Sequence, residues 1–379
     1  MVKNAKFANL WSRILARGVV RNQFPVPRVE PRIFHAMLKW YEKLFLNIDL
    51  RNIRIQRPIF LIGMHRSGTT MLQDILCSLP EVGYFTNFMQ ISPNRICASE
   101  HFRKRFKLDA TTERYLKDGI EVSGGSPNEG VQFWEKWVGE KVHSFEHSKR
   151  DKKSMTPEQL AEIDTQLRRC LWTFPAGTNR FFSKNPRLVP YRDFLSELFP
   201  DAKFIHLIRD PRQCANSMLK LYRLTQQQLM QIKSKGRLHG IYDEKPFNPY
   251  PRLPILKECM ERFGPEDIRT TSHLWNEGVN MVRKDAESIP NYYEIRYEDI
   301  LENPKKEILE ICNFCELNSP QSIDLQFWKL LEKVGKVNHK NQYGEFEIVE
   351  EICGETMQEL GYQIDTDAIA SSPTVGSAA

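Results

Sequence analysis

The sequence predicts a three-layer α/β protein built on a central parallel sheet, and three observations carry that expectation. The apolar runs Ile59-Phe60-Leu61-Ile62 and Phe204-Ile205-His206-Leu207-Ile208 have the length of strands and are too short for helices. Each is followed by a stretch with helical apolar spacing, as in Met71 to Leu79. Between the first run and its helix lies a turn bracketed by glycines, Gly63-Met64-His65-Arg66-Ser67-Gly68-Thr69-Thr70. Strands that alternate with helices pair in parallel, because the crossover helices cover both faces of the sheet.

Taken in order, residues 1–55 read as a helical extension in which Phe34 to Phe45 forms an amphipathic helix. Phe7 to Arg17 is basic and amphipathic. That pattern suits peripheral contact with an anionic membrane, although a short helix packed on the body is the simpler expectation. After the first strand and helix, which stops before Pro80, residues 85–180 read as helix and loop, broken at Gly124 to Asn128. Thr156 is placed to cap a helix that has Pro157 in its first turn. A helix from Tyr191 to Phe199 precedes the second strand, and residues 222–268, rich in Gln, Lys and Pro, read as an insertion or lid. A third strand covers Tyr292 to Tyr297, and a helix runs from about Pro304 to Phe314. The tail from Asp365 is expected to be disordered. The expected boundaries are therefore 1–55, 56–364 and 365–379.

A 41% hydrophobic and 27% charged composition allows one large globular core. The net charge of +6 would attract anionic ligands, but it is too small to argue for nucleic acid, and no nucleic-acid motif accompanies it. No apolar run is long enough for a transmembrane segment and no leader pattern opens the chain, so a cytoplasmic location is expected. The eight scattered cysteines suit a reducing compartment. Cys312 and Cys315 make a CxxC without the second pair that a zinc site needs, and they lie in a run with helical apolar spacing. Two structural thiols are the expectation, and no metal.

The turn after the first strand has the chemistry of an anion cradle. Its glycines let the chain turn so that backbone N–H groups point inward, and the following helix adds its positive end. Arg66 supplies charge, while Thr69 and Thr70 supply hydroxyls. A nucleoside-triphosphatase loop would place lysine where Thr69 stands, and that lysine holds β- and γ-phosphates. A small-molecule kinase is thereby disfavoured.

Pro58 to Thr70 resembles the 5′-phosphosulfate loop of sulfotransferases that carry arginine in this loop. Phe204 to Arg212, with Ser217, resembles their 3′-phosphate motif, in which an arginine and a serine eight residues later grip the phosphate; Arg209 and Ser217 have that spacing. Ile295 to Pro304 resembles the family's Arg-Tyr-Glu-Asp-Leu … Asn-Pro block, and Glu350 to Tyr362 its C-terminal helix with a Leu-Gly-Tyr finish. The likeness runs from about Arg57 to Tyr362, with all blocks in family order. The family's Arg-Lys-Gly-x-x-Gly loop is not recognisable; Gly335 to Asn341 fall in the comparable region.

The resemblance implies a P-loop-like fold and transfer of a sulfuryl group from 3′-phosphoadenylyl sulfate (PAPS), without a metal. The product is adenosine 3′,5′-bisphosphate, and the acceptor is the hydroxyl or amine of a carbohydrate, glycolipid or small metabolite. It implies a donor site of Arg66, Ser67, Gly68, Thr69, Thr70, Arg209 and Ser217. Arg66 would also stabilise the leaving 5′-phosphate, and Lys184, in a Lys-x-Pro segment at a strand end, would reach the transferring sulfonate.

Glu129 is the first choice for the general base, and a helix-capping arrangement, with Asn128 as cap and Glu129 at the positive helix end, competes evenly. His206 is the other candidate base, but it alternates with apolar residues and reads as a core histidine; His65, in the loop, would be kept unprotonated by Arg66 and able to accept a proton, although a side chain turned from the pocket is the simpler expectation. Arg212 reads equally as phosphate contact or solvated charge, and Asp210 as the cap of the next helix. The competing functions are a kinase and an inactive relative that only binds nucleotide or glycan.

Overall fold

The computed structural model describes residues 6–7, 32–113, 121–140, 144–233, 248–284, 286, 291–318, 328 and 344–364. Five strands form the central sheet: β1 (Ile59–Ile62), β2 (Val82–Tyr84), β3 (Arg180–Lys184), β4 (Lys203–Ile208) and β5 (Tyr292–Arg296). Their order is β2-β3-β1-β4-β5 and every pairing is parallel. The helices are α1 (Arg32–Phe45), α2 (Thr69–Leu76), α3 (Ile96–Arg105), α4 (Val131–Val138), α5 (Pro157–Trp172), α6 (Arg192–Leu198), α7 (Pro211–Lys233), α8 (Leu256–Arg262), α9 (Ile268–Lys284), α10 (Tyr297–Glu302), α11 (Pro304–Phe314) and α12 (Phe346–Glu359). A small antiparallel sheet joins Lys6–Phe7, Ala110–Glu113 and Glu121–Val122.

Strand periodicity divides the interior in two. Phe60, Ile62, Phe204 and Ile208 enter the core built with α4, α5, α7, α9 and α12. Their neighbours Ile59, Leu61, Ile205 and Leu207 enter the core built with α2 and α11. Both faces are covered, which is why these strands are apolar throughout. Each buried Phe, Leu or Ile contributes about 1.5–3 kcal/mol of transfer free energy.

The expected helix starts and stops hold in detail at α5 and α11. Thr156 and Gln159 make a reciprocal capping box with Pro157 in the first turn, and α11 spans the expected Pro304–Phe314. Both CxxC thiols are buried, and burial pushes each up to about 12, so they are structural.

Three differences from the sequence reading stand out. β2 was not anticipated. Residues 222–233, read as part of an insertion, continue α7. Tyr222, Thr225 and Leu229 of that helix are buried at i, i+3 and i+7, so its polar residues are an outer face. Tyr297 opens α10 instead of ending β5.

Phe7 belongs to the small sheet, but the rest of the Phe7 to Arg17 segment lies outside the described residues, as do Gly335 to Asn341 and the tail from Asp365. Among the described residues no helix is long and apolar enough to cross a membrane.

Candidate active site

The segments bearing Lys184, Gly63 to Thr70 and Arg209 leave the carboxyl ends of β3, β1 and β4, three adjacent strands. Ligands of open α/β sheets bind in the crevice beyond these ends. Gly68 caps α2 with φ at 89°, and Thr69 and Thr70 form the first turn of that helix. A Cβ on Gly68 would run into the ring of Tyr297, so both the left-handed backbone and the packing require glycine. Arg66 also has positive φ, 72°, an uncommon conformation for a side-chain-bearing residue.

The two phosphate motifs meet in space. Arg66 Nε donates to Ser217 Oγ at 2.9 Å, and Arg209 Nη1 donates to the Arg66 carbonyl at 3.2 Å. The Arg209 guanidinium lies 4.8 Å from the centre of the Tyr297 ring, and its other Nη hydrogen-bonds Gln213. Its Nε is buried without a hydrogen-bond partner. Ser67 and Thr69 are buried as well. Arg66, assigned from sequence to the 5′ end of the donor, thus stands against the serine assigned to the 3′ end.

The third and fourth motif blocks hold this corner in place. Glu298 accepts the Asp210 amide at 3.1 Å and the Tyr362 hydroxyl at 2.9 Å. Asp210 accepts the Arg212 amide at 2.8 Å, as a cap at the start of α7. Arg212 itself is held by Asp210 and Glu350. Tyr297, Glu298 and Tyr362 therefore position the site, a role that sequence reasoning did not assign to them; the spacing of these blocks from Arg209 carried no such signal.

A second group lies at the end of β3. Lys184 Nζ donates to Glu129 Oε1 at 2.5 Å. Lys184 is 8% exposed and Glu129 36%, so the pair opens toward solvent from the carboxylate side. Burial raises the Glu129 carboxyl, but the Lys184 ammonium, its hydrogen bond, His65 and Arg187 together outweigh burial, and the group ends below its ordinary value. Glu129 is ionised at neutral pH.

The loop before Glu129 is fastened to the segment after β2. Asn128 Nδ2 donates to Asn87 Oδ1 at 2.8 Å and to Gln90 Oε1 at 2.7 Å, while its own Oδ1 accepts the Gly130 amide at 2.9 Å. The cap of α4 is Gly130, so Asn128 does not cap the helix, and the capping arrangement is not the one found.

His65 sits among these charges with Nδ1 buried and unpartnered. Burial pushes its imidazole down to about 3, against the pull of Glu129 and with the help of Arg187, Lys184 and Arg66. It is neutral at physiological pH. Arg187, paired with Glu135 of α4, was not singled out from sequence although it follows Lys184 by three residues. His206 is bound to the Tyr292 hydroxyl at 2.6 Å inside the sheet, and Trp134 and Trp275 donate to Ser183 Oγ and the Arg209 carbonyl. All three are core residues, as the alternation around His206 suggested for that one.

A strand, a glycine-capped turn and a helix facing a buried arginine define an α/β enzyme with an anion cradle of the P-loop type. The model of the family described as the sulfotransferase family matches residues 58–242, and the chain is similar to that family there. The omega-hydroxy-beta-dihydromenaquinone-9 sulfotransferases of Mycobacterium bovis and Mycobacterium tuberculosis are each 22% identical to it over 323 residues, which are 79% of this chain and 74% of theirs. The crystal structure of a sulfotransferase from Mycobacterium avium superposes with a TM-score of 0.50 at 14% identity, over 95% of this chain and 88% of that one, and supports the fold.

Alanine at Gly68 tests the packing of the cradle. The positive φ and the Tyr297 ring together are expected to cost roughly 1–3 kcal/mol of stability and to lower affinity for a phosphate-bearing ligand at least about tenfold. Thermal melting and calorimetry would read the two effects; an unchanged affinity would mean that the loop does not hold the anion.

Proposed function

We propose that this sulfotransferase moves the sulfuryl group of PAPS to a hydroxyl or amine by in-line displacement. The observation that carries the proposal is the convergence of Arg66, Arg209 and Ser217, which are 143 and 151 residues apart along the chain in the pairs that touch. Two anion-binding motifs joined at one corner suit a ligand with separate 5′ and 3′ phosphates. The buried, unpartnered Nε of Arg209 fits a further phosphate oxygen.

On this reading Ser67 to Thr70 cradle the 5′-phosphosulfate, Arg209 and Ser217 hold the 3′-phosphate, and Arg66 lies between them. Lys184 neutralises charge on the transferring sulfonate. Glu129 takes the acceptor's proton as the acceptor oxygen or nitrogen bonds to sulfur and the bond from sulfur to the 5′-phosphate oxygen breaks. The products are the sulfated acceptor and adenosine 3′,5′-bisphosphate, and no metal enters the scheme. The curated relatives' name specifies a hydroxylated menaquinone derivative, which makes a lipid-soluble alcohol the first acceptor to screen, ahead of glycans. Eight buried free thiols suit a cytoplasmic setting.

Calorimetric titration tests the donor assignment. Metal-independent binding of adenosine 3′,5′-bisphosphate, at least about a hundredfold tighter than ADP with magnesium, is expected. Preference for ADP with magnesium would replace this reading with a kinase.

A further inference from the structure

The geometry points to α1 as a membrane-docking helix that seats the enzyme on an anionic lipid surface. Of the seven large apolar side chains that are markedly exposed among the described residues, Met37, Trp40, Leu44 and Phe45 all lie on this one helix. Met37, Trp40 and Leu44 share one face at i, i+3 and i+7, and Trp40 and Leu44 are 61% and 65% exposed, which is unusual for a helix whose opposite side is firmly docked; Phe45, 68% exposed, ends the helix beside the Tyr41 ring.

That docking is extensive. Leu38 is fully buried, Tyr41 bonds His101 at 2.8 Å, and Glu42 accepts from Arg95 at 3.1 Å and from Arg169 at 2.7 Å. The apolar ridge is thus not a core face left over by a loose helix.

The charge on the free side identifies the occupant. Lys39 and Lys43 are exposed beside the ridge, with Lys43 Nζ 5.8 Å from the Trp40 ring centre. The helix's one carboxylate, Glu42, is turned inward onto its two arginines. Arg105, exposed at the end of α3, adds charge near Tyr41. Protein interfaces exclude lysine from their centres, whereas helices at a bilayer surface combine Trp, Phe and Leu with flanking lysines. Anionic headgroups complement this pattern better than a protein partner does.

The placement also relates the helix to the site. Arg95, which holds Glu42, lies five residues beyond Gln90, which holds Asn128 next to Glu129. The inference rests on the helix alone and is independent of the donor assignment.

Co-sedimentation of the full chain with vesicles tests it. Binding to vesicles with about one-third phosphatidylglycerol, weakened by salt and by its replacement with phosphatidylcholine, is expected. Trp40→Ala/Leu44→Ala and, separately, Lys39→Glu/Lys43→Glu should each lower partitioning at least about tenfold while melting temperature and nucleotide binding stay unchanged. Equal partitioning of wild type into both vesicle types, or of the variants and wild type, would overturn the inference. So would a wild-type dimer that Trp40→Ala/Leu44→Ala converts to monomer without any vesicle binding, since the ridge would then cover a second copy.

Discussion

Glu129→Gln is expected to lower kcat by roughly 10²- to 10⁴-fold while leaving the affinity for adenosine 3′,5′-bisphosphate within about threefold of wild type. The glutamine keeps the shape and can still accept from Lys184, but it cannot take a proton from the acceptor. The pH profile adds a second reading. Burial raises the Glu129 carboxyl, but the Lys184 ammonium and its hydrogen bond, together with His65 and Arg187, hold it below its ordinary value. The working carboxylate is therefore present throughout the neutral range, and activity falls only as acid protonates it below the usual carboxylate range. Lys184→Met removes the main opposing charge and leaves burial opposed by His65 and Arg187 alone. The acid limb should then move to higher pH, along with a loss of kcat from the unneutralised sulfonate. A Glu129→Gln enzyme of wild-type kcat would remove Glu129 from the chemistry and turn attention to neutral His65.

Arg209→Ala is expected to weaken binding of adenosine 3′,5′-bisphosphate by about 10²- to 10³-fold. Charge-assisted hydrogen bonds to a phosphate contribute about 1.5–3 kcal/mol each, and the arginine is placed to make more than one. The same guanidinium lies over Tyr297 and donates to the carbonyl of Arg66, so its loss also frees the cradle. Arg209→Lys should recover little, because an ammonium lacks both the planar stack and the fork of donors. Calorimetry on both variants measures this directly. A change of less than about fivefold in Arg209→Ala would show that the 3′-phosphate is held elsewhere.

These two candidates were picked out of the sequence for different reasons. Arg209 and Ser217 follow a strand at a fixed spacing, and helical geometry brings such a pair to one side without help from the rest of the chain. Glu129 and Lys184 were chosen separately, one for chemistry and one for its place at a strand end, and nothing in their spacing said that they touch. Their contact depends on the loop around Asn128 being fastened to Asn87 and Gln90, long-range bonds that leave no periodic trace. β2 escaped notice because it is three residues long with a glycine at its centre; Gly83 is there because a Cβ would meet the Leu171 side chain at 2.6 Å.

The sequence by itself determined the parallel α/β layering, the anion cradle at the end of β1 and the arginine at the end of β4, since each follows from local periodicity and turn chemistry. Only the tertiary structure decided which of these groups share a corner. It closed Arg66 onto Ser217, set Tyr297 beneath Gly68, paired Lys184 with Glu129, and left the ridge of α1 facing outward while Glu42 turned in. The physical reason is the same in each case. Hydrogen bonds and packing between distant segments form only after both cores have brought the strand ends together, and no local pattern encodes that proximity.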